Sequence, residues 1–302
     1  MKQLNTYKWA GVFVIIFCCF LIPAKAQEDA WKALDSLDTG GDNLTSATFK
    51  GTRLINFQTI EVDGKRTLDF RISHRFGEVG SGSYNLYGID GPANIRLGLE
   101  YSYDGRLMIA VGRSSYQKQY DGFLKYRLLR QTTDNKMPVS VTLFSSMFMT
   151  RLKDPNKSTT GFDKYDPLRN RLSFANQIII GRKFTPAFSL QIAPVMVHYN
   201  MTENFTDLND MYFLTAAARL KFTKRMAITA EYGFNLNEYS IGTSYQDPLG
   251  IGIDIETGGH VFQVHVTNAF GITENQFLPF TTSKVTSGGM RIGFNVSRVF
   301  TL

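Results

Sequence analysis

Hydrophobic and polar residues alternate along much of this chain. From Met290 to Leu302 every second residue is hydrophobic, and only Arg298 interrupts the pattern. Successive side chains of a β-strand point to opposite faces, so the alternation predicts strands with one hydrophobic and one polar face. The same alternation recurs at Leu68–Ile72, Ile95–Tyr103, Met226–Leu236 and Leu249–Ile255.

Twelve runs of this kind are predicted as strands, and short and long connections alternate between them. An even number of strands with short turns at one end and long loops at the other is expected of a transmembrane β-barrel. A soluble β-sandwich or lipocalin-like barrel is the alternative, but it does not explain the loop pattern. Pro194, inside the seventh run, predicts a β-bulge. The predicted strands start near Thr67, Asn94, Arg106, Gly122, Pro138, Arg171, Phe188, Tyr212, Met226, Leu249, Val261 and Met290.

The first 26 residues have the three parts of a cleaved secretory signal. Positive charges precede a hydrophobic run of about 12 residues, too short to span a bilayer, and Ala24-Lys25-Ala26 is an A-x-A cleavage site. Cys18 and Cys19 both lie in this signal, so the mature chain lacks disulfides and thiolate chemistry. The predicted destination is the outer membrane of a Gram-negative bacterium.

The chain is therefore divided into a signal peptide (1–26), an N-terminal extension (27–66) and the barrel (67–302). The extension is interpreted as a periplasmic segment or a plug of the lumen. Thr48–Ile60 could also form a thirteenth strand, which would break the even count.

Charge and composition exclude some partners. The chain of 302 residues carries a formal charge of +7, and removal of Lys2, Lys8 and Lys25 with the signal leaves +4. The basic residues are scattered among acidic ones instead of forming the stripe expected of a nucleic-acid-binding protein. No nucleic acid and no cofactor is expected, and the sequence does not identify a protein partner.

Four stretches resemble a β-barrel family from the Bacteroidota, a domain of unknown function. The resemblance extends from about Thr48 to Leu302. It implies an outer-membrane barrel surrounded by lipid, but it brings no catalytic residue, substrate or cofactor. The stretches are Asp69–Gly77, Tyr120–Arg127, Glu256–Gln263 and Asn295–Phe300.

Charged residues on the polar face of the strands are predicted to line the lumen. Eight cations face five carboxylates, which favours a basic passage for small anionic solutes. The alternative is a network of internal ion pairs that fills the barrel, since twelve strands lie between filled and open barrels. The predicted lining residues are Asp69, Arg71, Arg75, Arg96, Glu100, Lys125, Arg127, Arg219, Lys221, Glu231, Asp254, Glu256, His265 and Arg291.

Catalysis and metal binding find less support in the sequence. Ser73 and His74 are neighbours on a predicted strand, so they point to opposite faces and cannot form a nucleophile-base pair. Asp254, Glu256 and His265 could approach one another, but neighbouring cations could equally neutralise the carboxylates. We therefore predict a passive channel without enzymatic activity. The alternatives are an occluded barrel that anchors a periplasmic or surface partner, and a lipid hydrolase.

Overall fold

A computed structural model describes residues 43–161, 163–202, 208–237 and 245–302. The predicted signal peptide and the first part of the extension lie outside the described residues. The described chain forms a closed barrel of twelve antiparallel strands, in which each strand pairs with its neighbours in sequence and β1 pairs with β12. The strands are β1 (Thr67–Glu78), β2 (Asn94–Ser102), β3 (Leu107–Ser114), β4 (Tyr120–Leu129), β5 (Ser140–Met149), β6 (Leu172–Lys183), β7 (Phe188–Tyr199), β8 (Asp210–Lys221), β9 (Met226–Asn235), β10 (Leu249–Thr257), β11 (His260–Thr267) and β12 (Arg291–Thr301).

The predicted twelve-stranded barrel is confirmed, and each strand starts within two residues of its predicted position. Within the described ranges, two short helices lie in long loops, α1 (Lys157–Thr160) between β5 and β6 and α2 (Glu274–Phe280) between β11 and β12. In the described part of the chain, no helix is long and apolar enough to cross a membrane. Single 3-10 turns occur at Val79–Ser81, Ser83–Gly88, Tyr116–Lys118, Leu168–Arg171 and Val285–Ser287.

The alternation of residues fixes which side chains face outward. In β2, Arg96 and Glu100 are buried inside the barrel, whereas Leu97 and Leu99 between them are exposed on its outer surface. A hydrophobic outer face is what a barrel surrounded by lipid requires, because lipid tails cannot solvate polar groups.

The alternation predicts a polar inner face, but the observed inner face is only partly polar. The inward positions of β5–β8 carry a single buried charge, Arg219, and large buried apolar side chains such as Phe144, Phe148 and Phe213. Most buried charges lie instead on β1, β2, β4 and β9–β11. The barrel thus has an apolar inner half, which requires something apolar to pack against it.

Residues 48–62, here called the interior segment, fill this space. A tight turn is formed inside the barrel by an isolated bridge between Arg53 and Gln58 and by a Leu54 N–Phe57 O hydrogen bond of 2.9 Å. Thr48–Ile60 does not form a thirteenth strand, because many of its polar groups bond to side chains of the wall instead of to a neighbouring strand. Its hydrophobic side chains join the inner face in one cluster: Phe49, Leu54, Phe57, Ile60 and Val62.

The loop between β11 and β12 also folds inward. Residues Glu274–Pro279 of α2 are buried, and the ring of Phe277 stacks on that of Phe57 at a centroid distance of 5.5 Å. Asn275 donates to Ser173 of the wall (2.9 Å). The interior segment and α2 therefore share one core with the inner wall.

The prediction of a β-bulge at Pro194 is wrong. The register between β6 and β7 is the same on both sides of this proline, and only the ladder pairs next to it are missing. Proline lacks the N–H that would donate to β6, so a pair is lost without the insertion of a residue. Register shifts occur instead at Arg75–Glu78 and at Arg127–Leu129.

The shared core predicts a large effect of one substitution. Phe57→Ala should lower the free energy of unfolding by about 3–5 kcal/mol, because it leaves a cavity between two buried elements. Urea unfolding from lipid vesicles, followed by circular dichroism, measures this loss. Phe70→Ala, which removes a ring from the outer face, should have a clearly smaller effect, since lipid fills the space. Equal effects would contradict the shared core.

Candidate functional site

The lumen gathers most of the predicted lining residues. Twelve of the fourteen are buried inside the barrel. Lys221 is half-buried at the end of β8, and Arg291 lies at the rim, where it pairs with Glu78 at 2.7 Å. The buried residues are Asp69, Arg71, Arg75, Arg96, Glu100, Lys125, Arg127, Arg219, Glu231, Asp254, Glu256 and His265.

Two wall residues of opposite charge hold the tip of the interior segment. The Glu231 carboxylate accepts hydrogen bonds from the backbone N–H of Asn56 (2.9 Å) and Phe57 (3.1 Å), and from the Asn56 amide (2.7 Å). Arg75 donates to the Ile55 carbonyl (2.7 Å) and to Asn56 Oδ1 (2.9 Å). A tight turn leaves some of its backbone groups without partners inside the turn, and these contacts from the wall satisfy them.

Amide side chains of the wall also form hydrogen bonds with the main chain of the interior segment. Asn295 Nδ2 donates to the carbonyls of Leu54 (3.1 Å) and Ile55 (3.0 Å). Gln191 accepts from the N–H of Ile60 (3.2 Å) and donates to the carbonyl of Gln58 (2.7 Å). The interior segment is therefore bound through its main chain from opposite sides of the barrel.

Buried ion pairs also join residues of the wall to one another. Arg96 binds Asp121 in a bidentate arrangement, with Nε–Oδ1 at 3.0 Å and Nη2–Oδ2 at 2.5 Å. Its guanidinium lies over the paired glycines Gly98 and Gly112, where any Cβ would come within 2.7 Å of it. These two glycines make room for the pair. A second pair joins Arg71 to Asp69 at 2.9 Å.

Other ion pairs connect the wall to the interior elements. Arg127 of β4 pairs with Glu61 of the interior segment at 3.2 Å. Glu256 of β10 pairs with Lys50 of the interior segment at 3.4 Å and with Arg219 at 2.8 Å. Glu61 therefore offers a carboxylate to a cation of the wall, whereas Lys50 offers a cation to a carboxylate of the wall.

Arg53 and Glu274 form a further pair, at 3.3 Å, between the interior segment and α2. Arg53 also donates to the Asn56 carbonyl (3.2 Å) and to the Ile272 carbonyl (3.4 Å). This pair ties the two interior elements together without a residue of the wall.

Lys125 is bound in a different way. Its Nζ donates to the carbonyls of Thr52 (2.8 Å) and Glu61 (3.3 Å). Among the described residues it forms no ion pair. Its buried positive charge is therefore held by the main chain of the interior segment.

The residues considered for a metal site are engaged elsewhere or lie apart. Asp254 accepts from Gln263 (3.0 Å), and Glu256 is held by its two cations. The ring nitrogens of His265 are buried without a hydrogen-bond partner, and the imidazole lies against Gly293. No group of three or more metal-ligating side chains is found among the described residues.

Sequence reasoning missed several residues of the lumen. Asp121 lies one residue before the predicted start of β4, and Arg53, Glu61 and Glu274 lie outside the strands altogether. A usable signal was present in the strand glycines, because a Cβ at Gly250 would come within 3.0 Å of an Ile55 methyl. Glycine inside a strand often marks the close approach of another part of the chain.

Asp63 connects the interior segment to the rim of the barrel. Its carbonyl accepts from Ser102 (2.8 Å), while its Oδ2 is buried without a hydrogen-bond partner. Burial, with the nearby carboxylates of Asp69 and Glu100, raises the pKa of Asp63 to about 7.

This pKa predicts how stability depends on pH. A carboxyl whose pKa is raised in the folded state favours folding at low pH, so its contribution is lost as pH rises from about 4 to about 7. Asp63→Asn should remove that loss and stabilise the protein at pH 8 relative to the wild type, by about 2–4 kcal/mol, with little difference at pH 4. Urea unfolding at both pH values measures it. Asp90→Asn, in an exposed loop, is the control, and a pH-independent difference for Asp63→Asn would contradict the assignment.

Comparison with solved structures gives barrels of low sequence identity. The porin NanC is 7% identical with a TM-score of 0.49, and the match covers 78% of this chain and 99% of that one. The porin KdgM is 12% identical, with a TM-score of 0.46 and the same coverage. Outer-membrane phospholipase A from Escherichia coli is 11% identical, with a TM-score of 0.43 and coverage of 76% and 92%. These identities are too low to transfer a function.

The search of curated proteins gave no match. A family model described as a membrane-bound β-barrel domain, DUF5777, matches residues 49–300. The match includes nearly all of the interior segment as well as the strands, so both are part of the family's domain. The chain belongs to this family of membrane-bound β-barrels, the DUF5777 domain.

Proposed function

We propose that this protein is an occluded outer-membrane barrel that anchors a periplasmic or surface partner. The observation that carries the proposal is the single apolar cluster shared by the interior segment, α2 and the inner wall. An apolar core is typical of a permanent part of a fold. A passage for polar solutes would instead keep a hydrated wall.

Displacing the interior segment would be costly. Five of its hydrophobic side chains are buried in the cluster, and each contributes about 1.5–3 kcal/mol to stability by burial. Removal of the segment would also leave Glu231 and Arg75 without the backbone partners described above. Spontaneous opening should therefore be rare.

The orientation of the barrel supports a location in the outer membrane. Thr45 N–H donates to the Gln131 carbonyl (2.9 Å) in the turn between β4 and β5, so the chain enters the barrel at the short-turn end. In outer-membrane barrels that end faces the periplasm. We propose that the signal is cleaved near Ala26 and that the long loops face outward. The proposed source is a Bacteroidota species.

A second candidate is an anion channel that opens when the interior segment moves. Lys125 directs both of its hydrogen bonds to that segment, and Arg75 directs two of its four there. Among the described residues neither forms an ion pair. Displacement of the segment would remove these partners from two wall cations, and cationic walls favour anions.

We propose no catalytic activity for the barrel. Ser73 is buried inside, whereas the neighbouring His74 faces outward and stacks on Phe294. A serine nucleophile requires a base within hydrogen-bond distance, and these two side chains lie on opposite faces of β1.

Single-channel recording in a planar bilayer separates the two candidates. We expect no steady current from the folded full-length protein, because the lumen is filled. Deletion of residues 48–62 should produce anion-selective steps, since the wall cations lose their partners. Steady anion-selective current from the full-length protein would contradict occlusion and support the channel.

Thiol labelling tests occlusion without a deletion. Thr229, on the inner wall, is 1% exposed. In a chain with Cys18 and Cys19 replaced, Thr229→Cys should resist a charged, membrane-impermeant thiol reagent. Ser287→Cys, in an exposed loop, should react at once. Rapid labelling of both would show that water reaches the lumen and would overturn the occluded barrel.

A further inference from the structure

The outer face of β5 and β6 carries a polar pair in the middle of the hydrophobic surface. Ser145 and Asn176 are the only serine or carboxamide side chains at outward positions of the twelve described strands. They lie directly opposite each other in the ladder, and Ser145 Oγ donates to Asn176 Oδ1 at 2.8 Å. Both are near the centres of their strands.

Half of the Asn176 amide is left without a partner. The Nδ2 group carries two donors, and it has no hydrogen-bond partner among the described residues. A lipid tail offers neither donors nor acceptors, so an unpaired amide in the hydrocarbon region is strongly unfavourable. Apolar residues at outward positions, such as Ile178 and Ile251, avoid this cost.

The surface around the pair is recessed. Two grooves, of about 570 and 630 Å³, meet at Ser145, and their walls are apolar. The first groove is also lined by Pro194 and the second by Gly122, residues that project little from the barrel. Small residues allow a second membrane-embedded surface to approach closely.

We propose that the outer face of β4–β7 around Ser145 and Asn176 is the interface with a second copy of this chain. A carboxamide has both donors and an acceptor, so it is complementary to its own two-fold mate. In an isologous contact the Nδ2 of each Asn176 donates to the Oδ1 of the other, which still has a free acceptor position. Neither an acyl chain nor an apolar protein surface offers this reciprocity, whereas a second copy always does.

Self-association of the full-length protein in lipid vesicles tests the proposal, by energy transfer between labelled copies at increasing dilution. Asn176→Leu should weaken association about 8- to 300-fold, because two side-chain hydrogen bonds within the membrane are lost per dimer. Asn176→Gln keeps the carboxamide and should retain most of the association. Ile251→Leu, on the far side of the barrel, should change nothing.

Thermal unfolding distinguishes a role of Asn176 in association from a role in the folding of one chain. Leucine is favourable in contact with lipid, so Asn176→Leu should unfold at the same or a higher temperature than the wild type even as association falls. Loss of association together with loss of the folded barrel would overturn the proposal, because the amide would then act within one chain. A wild-type protein that is monomeric at every dilution would also overturn it.

Cross-linking locates the interface. In the chain without Cys18 and Cys19, Asn176→Cys should form a disulfide with a second copy on mild oxidation, whereas Ile251→Cys should not. Equal cross-linking at both positions would indicate random collision. Cross-linking of Asn176→Cys in native membranes to a different protein only would overturn a second copy as the occupant.

Discussion

Charge burial is the constraint on which the rest of this structure depends. A barrel in lipid turns its charged side chains inward, and here the lumen that receives them is filled with protein. An unpaired buried charge is destabilising by several kcal/mol, so every inward cation needs a partner. The wall supplies some, as with Arg96 and Asp121. Others come from the interior elements, either as carboxylates such as Glu61 or as main-chain carbonyls such as that of Thr52.

The same constraint explains the character of the interior segment. It has little regular structure, so only a few of its backbone N–H and C=O groups satisfy one another, as Leu54 and Phe57 do. The polar part of the wall satisfies them with long side chains that carry donors or acceptors, among them Glu231, Arg75 and Asn295. Five of its hydrophobic side chains join the apolar cluster of the inner wall. An irregular segment and a two-sided lumen are therefore complementary, and neither is explicable without the other.

The barrel was predictable from the sequence, whereas the contents of its lumen were not. A strand in a membrane barrel repeats every two residues over its whole length, and the repeat of β12 is legible in the sequence alone. The interior segment has no repeat, because its residues are chosen by contacts on several strands distant in sequence. Asn56, for example, is matched to Glu231, and no local pattern connects them. The charged strand positions predict a network of internal ion pairs as one alternative. Its acidic partners Glu61 and Glu274, however, lie outside the strands, where the alternation gives no information.

Occlusion and self-association follow from one rule applied to the two faces of the same sheet. Inside, a polar group is tolerated where the chain brings a partner to it, as the interior segment does for Lys125. Outside, the surroundings are lipid, and a polar group can be satisfied only by another protein surface. The Oδ1 of Asn176 accepts a hydrogen bond from Ser145 within the chain. Its Nδ2 donors require an acceptor on another protein surface, such as the Asn176 Oδ1 of a second copy. The inner face meets its requirement within one chain, so opening the lumen would remove stabilising contacts, while the outer face gains contacts only by association.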